Sequence, residues 1–155
     1  KDWQVPSICL RPSVVYGVGR DQGMSSKNTV GMQAAVLREA FEIPFTGAYS
    51  WLYAGEAASA FIAAASRDGS GAHVFDLNGR SETVESGLEL LDMLEPGHKV
   101  TAGDVVLPFP SVLDDSPLRN HVADYPEIPT TDGVAATLQA FKILQAEGRL
   151  PPLPS

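Results

Sequence analysis

The 155-residue sequence contains a single cysteine, Cys9, which stands among apolar neighbours. One thiol cannot build a disulfide framework or a thiolate metal cluster, so both are excluded within this chain. No apolar run approaches the ~20 residues that a membrane-spanning helix needs, and the first residues lack a signal-peptide layout. We therefore expect no membrane partner and a cytoplasmic location.

Basic residues are scarce, because 11 Lys and Arg stand against 19 Asp and Glu for a formal net charge of -8. A surface of that sign repels phosphate backbones and anionic lipids, so nucleic acid is not an expected partner. The three histidines, His73, His98 and His121, lie far apart in the sequence without the close spacing of a zinc site, and no metal is expected. No G-x-S-x-G motif marks a hydrolase nucleophile.

The length and composition indicate one globular domain. A chain of 155 residues can bury one core but is short for two domains, and an apolar content of 44% argues against disorder. The chain begins at Lys1 rather than at a methionine and enters a strand-like run almost at once. We therefore expect a fragment of a longer protein.

Predicted strands and helices alternate along the chain, which indicates an α/β fold. Strands are predicted at 8–16 with an interruption at Pro12, at 43–45, 49–53 and 72–77, and more weakly at 98–110. Helices are predicted at 28–41, 57–66, 83–94, 116–122 and 130–147. The proline-rich tail is expected on the surface. Short, uneven strands favour the irregular half of a larger α/β protein.

A glycine-bearing loop follows the first predicted strand, in the segment RPSVVYGVGRDQG at 11–23. Its G-x-G-x-x-x-G spacing is one residue longer than the dinucleotide fingerprint. No apolar helical face follows Gly23, and no acidic residue closes a second strand some twenty positions on. The pattern therefore favours a strand-end loop whose glycines supply positive φ over a pyrophosphate cradle.

The same segment resembles a passage of the extended short-chain dehydrogenase/reductases, the NAD-dependent epimerase/dehydratase family. R-P-x-x-V-Y-G-x-G-R-D-x-G at 11–23 is similar to the segment that follows that family's catalytic tyrosine helix. Three further segments resemble the family in the same order, at 51–66, 73–79 and 125–143. Each segment is weakly specific, but the four occur in the right order and are spread over most of the chain.

The resemblance implies the C-terminal part of a Rossmann-type protein, with 1–16 as the last part of its sheet. Residues 17–155 would form the small mixed α/β substrate-binding region and C-terminal helices, and the N-terminal NAD-binding half would be absent. The chain contains neither G-x-x-G-x-x-G nor Tyr-x-x-x-Lys, and Lys1 lies too close to Arg11 to be the catalytic lysine. We therefore expect no catalytic residue here, and NAD or NADP in the parent protein rather than on this chain alone.

The resemblance also indicates candidate site residues. Pro12, Ser13 and Val15 match positions at the nicotinamide end of the cofactor, with strand packing as the alternative. Arg20 is the candidate contact for an anionic substrate group, since guanidinium suits carboxylate or phosphate. Its alternative is a surface ion pair with Asp21.

Further substrate contacts are expected from Ser25 and Ser26 as donors, and from Trp51 and Tyr53 as pocket wall or core. Sugar-nucleotide epimerases carry an arginine shortly before the aromatic passage, and this chain has Tyr-Ser at 49–50 instead. That departure leaves the substrate open among a sugar, a nucleotide-sugar and a hydroxy acid.

The acidic residues are interpreted as structural. Glu56 is expected to stabilise the first turn of its helix, where the dipole favours a carboxylate. The acidic residues between 82 and 95 are expected on a solvated helix face, and Asp114 and Asp115 at the start of a short helix.

Three hypotheses for function remain. The first is the substrate-binding half of an NAD(P)-dependent enzyme, partnered by the missing half and by a small-molecule substrate, with a homo-oligomer possible. The second is a non-catalytic module that senses a dinucleotide or sugar, and the third is an interaction domain with no small-molecule site. The length of the natural protein separates the first two, because an enzyme requires about twice this chain.

Overall fold

The computed structural model describes residues 5–67, 69–122 and 125–154. The strands are β1 Ser7–Pro12, β2 Val14–Tyr16, β3 Ala40–Thr46, β4 Ala48–Tyr53, β5 Ala72–Leu77, β6 Arg80–Thr83 and β7 Lys99–Val106. The helices are α1 Lys27–Leu37, α2 Ala54–Ala65, α3 Val84–Leu94, α4 Ser116–His121 and α5 Thr130–Ala146, with a 3-10 turn at Met24–Ser26 before α1. Lys1 and Ser155, the two ends of the sequence, lie outside the described residues.

The strands form three small sheets with mostly parallel pairing. β1 pairs with β5, β2 with β4, and β3 with β7, all in parallel, while β6 runs antiparallel to β4. β1 and β2 belong to one run of chain that changes partner at Pro12, where proline removes a ladder donor. Ser13 N–H then donates to Leu77 O at 3.0 Å, which holds the crossing point against the end of β5. The predicted interruption at Pro12 is confirmed.

Two hydrophobic cores lie on these sheets. The first core packs α1, α3 and α5 around β2, β3 and β4, with aromatic residues such as Tyr16, Phe45 and Trp51 at its centre. The second core packs α2 and α4 against β1 and β5. The buried alanines of α2 let it approach the sheet closely, as its alanine-rich sequence predicts.

The helix predicted at 28–41 ends earlier, at Leu37. Arg38 has a left-handed φ of 60° and its N–H donates to the carbonyls of the last turn, which stops the helix. Phe41 therefore lies in β3, where its segment pairs with β7. The helical spacing of apolar residues continued past Leu37 because Phe41, a residue of β3, follows Leu37 at an interval of four positions.

The sequence did not indicate β6. The predicted acidic helix face therefore included a residue that belongs to the strand before the helix. Glu82 lies on this strand rather than on a helix. The helix predicted at 83–94 is confirmed as α3, with Thr83 as its N-cap. Ser86 N–H donates to Thr83 Oγ1 at 2.9 Å and Thr83 N–H to Ser86 Oγ at 3.1 Å, a reciprocal capping box.

The C-terminal tail lies along the first core. Leu150 and Leu153 pack against that core, and Gln33 Nε2 donates to Pro151 O at 2.7 Å. Among the described residues, no helix combines the length and the apolar character needed to cross a bilayer.

Candidate functional site

A cavity of about 270 Å³ lies at the carboxyl ends of β1 and β5. We call it the strand-end cavity. Its lining comprises Arg11, Pro12, Ser13, Val14, Ser25, Asp76, Phe109, Pro110 and Leu113. Ligands of open α/β sheets bind beyond the carboxyl ends of the strands, so this is the position where a ligand is expected.

Ser50 is the polar centre behind this cavity. Its side chain is fully buried on β4, and its Oγ donates to Asn78 Oδ1 at 2.7 Å. The same oxygen lies 2.9 Å from Ser13 Oγ and accepts the N–H of Gly79 at 2.8 Å. One hydroxyl therefore joins β4, the end of β1 and the turn after β5.

The segment after β7 is held over the cavity by two further hydrogen bonds. Asn78 Oδ1 accepts the N–H of Leu113 at 3.0 Å, and Ser50 N–H donates to Pro110 O at 3.1 Å. Gly79 sits so close to β4 that a Cβ there would lie 1.9 Å from Trp51 O. Polar side chains and a close backbone approach together fix the cavity wall.

Arg20 is positioned beside the cavity by its own loop. The loop glycines Gly17, Gly19 and Gly23 all have positive φ, which confirms that they supply this conformation to the loop. The Arg20 guanidinium donates to Ser25 Oγ at 3.1 Å and to Gln22 O, both within the loop. In the described residues it forms no ion pair with Asp21. Ser25 lines the cavity, so the guanidinium stands one side chain away from it.

Four sequence-predicted site residues do not reach the strand-end cavity. Val15 packs on the second core, while its neighbour Val14 lines the cavity. Ser26 is buried and donates to a loop carbonyl. Trp51 is 3% exposed in the first core, and the half-buried Tyr53 packs against that core. The structure therefore brings Pro12, Ser13, Ser25 and Arg20 together and places these four elsewhere.

Glu56 holds the chain segment that precedes α5. It lies in the first turn of α2, but its buried Oε2 accepts the N–H of Ile128 at 2.8 Å rather than capping its own helix. Arg80 lies 3.6 Å from its Oε1. Burial raises the pKa of Glu56, although the Ile128 N–H and Arg80 both act in the opposite direction.

The expected solvated face at 82–95 is wrong for two of its members. Glu82 Oε1 accepts the hydroxyl proton of Thr130 at 2.7 Å, joining β6 to the start of α5. Glu95 is 3% exposed, with Arg38 at 3.2 Å and Lys142 also on its carboxylate. Helical spacing alone could not show that these carboxylates face cations and hydroxyls from distant segments.

Asp114 and Asp115 begin α4 as predicted. Asp115 is the N-cap of this helix, and Asp114 Oδ1 accepts the N–H of Ser116 at 3.1 Å. The hydroxyl and N–H of Ser116 lower the pKa of Asp114.

Sequence analysis missed Ser50 and Asn78 as site residues. A signal for Ser50 was available, because a serine within the aromatic run YSWLY needs hydrogen-bond partners when that run is buried. Asn78 and Gly79 form a turn pair directly after a strand, at the end where ligands bind.

No protein-family model matches the chain, and no curated protein matches it in sequence. Solved structures do match. A UDP-glucose 4-epimerase of Thermotoga maritima, solved with UDP-glucose, aligns with a TM-score of 0.71 and 19% identity, over 89% of this chain and 46% of that one. A UDP-glucuronic acid 4-epimerase of Bacillus cereus, in complex with UDP-glucuronic acid and NAD, gives 0.72 and 17% over 88% and 45%. A partial consensus L-threonine 3-dehydrogenase gives 0.75 and 18% over 86% and 47%.

These likenesses establish the fold. The chain is a mixed α/β structure with parallel sheets, similar to the Rossmann-like fold of those epimerases. It spans about half the length of the solved structures that it matches.

Proposed function

We propose that this chain is the substrate-binding half of an NAD(P)-dependent epimerase, dehydratase or dehydrogenase. The substrate is a sugar, a nucleotide-sugar or a hydroxy acid. Residues 1–16 would complete the sheet of a nucleotide-binding half that precedes them, and 17–155 would enclose the substrate. The observation that carries the proposal is the strand-end cavity, where Pro12, Ser13 and Ser25 meet at the carboxyl ends of two parallel strands.

The residues present fit the nicotinamide end of a dinucleotide. A cavity of about 270 Å³ suits a ring-sized group rather than a whole dinucleotide, which agrees with most of the cofactor lying on the other half. Ser13 Oγ lies in a fixed position because Ser50 holds it, so it can orient a carboxamide. When bound, NAD(P) supplies the hydride acceptor. This chain supplies orientation and the walls that exclude water.

Arg20 would recognise an anionic group of the substrate. Its guanidinium already spans the loop from Gln22 O to Ser25 Oγ at the cavity edge. A carboxylate or phosphate entering beside Ser25 could replace the hydroxyl as acceptor and form a charge-assisted bond.

A second function, dinucleotide or sugar sensing without catalysis, is favoured by one observation. The ionisable side chains that line the described cavity are Arg11 and Asp76, and they are paired with each other at 2.9 Å. Such a pair binds and orients polar groups but leaves neither member free to transfer a proton.

The test is a titration of the natural-length protein with NAD and NADP, followed by assays with candidate hydroxyl substrates for reduction of the cofactor and for an epimerised or dehydrated product. The enzyme hypothesis expects saturable binding and turnover. Binding without turnover supports the sensing module, and no binding of either dinucleotide contradicts both the enzyme and the sensing of a dinucleotide.

Two matched pairs of variants locate the binding. Ser13→Ala should weaken dinucleotide binding roughly three- to tenfold, the range of one lost hydrogen bond, whereas Ser59→Ala on α2 should not. Arg20→Gln should raise KM for an anionic substrate about tenfold or more, with the exposed Arg149→Gln as its control. If the two variants of either pair changed binding or KM equally, the strand-end cavity would not be the binding site.

A further inference from the structure

A second cavity, of about 250 Å³, lies at the amino ends of β1 and β5. It is therefore at the opposite end of this sheet from the strand-end cavity. One part of its lining is apolar and the other part is basic. The apolar part includes Ile8, Phe61 and Ala64, and the basic part includes Arg67, His73 and His121. We call it the histidine cavity.

The fold brings together two histidines that are distant in the sequence. The ring centroids of His73 and His121 are 4.6 Å apart, with a tilt of 40° between the rings. Phe75 supports both rings, at 5.9 Å from His73 and 5.0 Å from His121. This arrangement gathers basic side chains at one place in a chain whose net charge is -8.

His121 carries a nitrogen that the described protein atoms leave unsatisfied. Its Nε2 is buried and has no hydrogen-bond partner, whereas His73 Nε2 lies 3.1 Å from Ser70 O. Buried polar atoms are nearly always hydrogen-bonded, so an orphaned ring nitrogen on a residue that lines a cavity indicates a group that completes it. A protonated ring nitrogen requires an acceptor.

The surroundings favour an anion over a metal ion as that group. A zinc site uses at least three protein ligands, and the described residues contain no cluster of three His, Cys, Asp or Glu side chains. The positive charge of Arg67 on the same cavity disfavours a cation, while its forked donors match a carboxylate. An inorganic anion has no apolar part to contact Ile8 and Phe61, so the apolar wall favours an organic anion.

We propose that the histidine cavity binds a small organic carboxylate. The carboxylate meets His121 Nε2 and the Arg67 guanidinium, and the apolar body of the ligand lies along Phe61 and Ile8. This site is separate from the strand-end cavity, so it does not depend on the proposed dinucleotide chemistry.

The test compares benzoate with benzamide, which has the same shape without the charge. The imidazole NMR signals of the natural-length protein are assigned through single His→Gln variants and followed during each titration. Benzoate should shift the His73 and His121 signals saturably and leave His98 unchanged. His98 is a suitable internal control because it does not line this cavity, its Nδ1 accepts the N–H of Val100 at 3.0 Å and its Nε2 lies 3.2 Å from Asp92 Oδ1. Benzamide should bind at least about tenfold more weakly, since it lacks charge-assisted bonds.

Variants separate the two parts of the site. Arg67→Gln, at an exposed position, and His121→Gln should each weaken benzoate binding about tenfold, and His98→Gln should have no effect. A dispersed amide spectrum verifies that each variant is folded. Saturating NAD should leave benzoate binding unchanged.

Several results would overturn the proposal. Equal affinities for benzoate and benzamide would leave only an apolar pocket, and displacement of benzoate by NAD would assign the binding to the strand-end cavity. Zn²⁺ binding that depends on both histidines and excludes benzoate would replace the anion by a metal. Absence of a saturable shift in the folded protein would refute the site.

Discussion

The Ser50 hydroxyl shows how one buried polar atom can organise a binding cavity. It accepts one backbone N–H, donates to one amide oxygen and contacts the hydroxyl of Ser13. The partners come from two segments that are distant from β4 in the sequence, namely the end of β1 and the turn after β5. Because the oxygen is fully buried, water cannot replace it, and its loss would leave the Gly79 N–H without an acceptor.

We predict that Ser50→Ala lowers the free energy of unfolding by about 1–3 kcal/mol, the cost of leaving the Gly79 N–H buried without an acceptor. Denaturant unfolding measures this change. The control is Ser59→Ala on α2, which removes a hydroxyl that bonds only to Gly55 O of its own helix and should change the value by less than about 0.5 kcal/mol. Similar changes in both variants would contradict the central position of Ser50.

Glu56 and Glu85 should give opposite pH dependences of stability. Burial raises the pKa of Glu56 above 4.5, so folding favours its protonated form. Its contribution is complete below that unfolded-state value and is lost as the pH rises through the higher folded-state pKa. The free energy of unfolding of the wild type minus that of Glu56→Gln should therefore fall as the pH rises above 4.5.

The Thr46 hydroxyl lowers the pKa of Glu85 below 4.5, which reverses the sign. Its contribution is present above that value and is lost as the pH falls through the folded-state pKa. The difference between wild type and Glu85→Gln should therefore fall toward acid pH. If the two stability differences changed with pH in the same direction, burial would not be what sets the pKa of Glu56.

At the scale of elements, the turn between β5 and β6 depends on Gly79. A Cβ there would lie 1.9 Å from Trp51 O, which is backbone and cannot rotate away. We predict that Gly79→Ala costs more than about 3 kcal/mol or prevents folding. Gly69→Ala is the matched control, because no atom lies within 4 Å of its added Cβ and the substitution should change stability by no more than about 1 kcal/mol. Thermal unfolding of both variants tests the pair.

Elements with strong periodicity could be predicted from the sequence, and those with tertiary causes could not. α3 follows from its apolar spacing and its Thr83 cap. The end of α1 could not be predicted, because a left-handed Arg38 and pairing with β7 interrupt a pattern that continues to Phe41. β6 is short and polar, so it has no period-2 signal and forms only because β4 lies beside it.

The candidate site, too, could be predicted only where its residues are marked by local sequence rather than by tertiary contacts. Four of the site residues lie within 14 positions of one another, at the end of a strand and in the loop that follows it. Local pattern and resemblance could therefore locate Pro12, Ser13, Arg20 and Ser25. Ser50 and Asn78 join the site through contacts between distant segments. The sequence left Trp51 open between pocket wall and core. Its ring packs against Tyr16, which places it in the core.

At the scale of the whole molecule, the sheet formed by β1 and β5 is open. Within 5–67, 69–122 and 125–154, β1 has a ladder partner on one side only, β5. Val74 on the outer face is 59% exposed, beside the exposed Cys9 in the neighbouring strand. Unpaired edges and exposed apolar faces promote association with another chain.

We predict that the 155-residue chain self-associates in isolation. Val74→Lys should reduce the sedimenting mass, because it charges the open face. Val112→Lys should not, although Val112 is 64% exposed, because it lies in the segment after β7. Analytical ultracentrifugation of the three proteins measures this, and a monomeric wild type would contradict the prediction. An excess of the proposed nucleotide-binding half should also suppress association.

The pairing of β1 with β5 also has a consequence for synthesis of the chain. Arg11 and its partner Asp76 are separated by 65 positions, and ribosomes add roughly 5–20 residues per second. β1 is therefore synthesised several seconds before its partner strand. During that interval a nascent strand must be kept from pairing wrongly, which makes the speed of translation between β1 and β5 a determinant of how much protein reaches its native state.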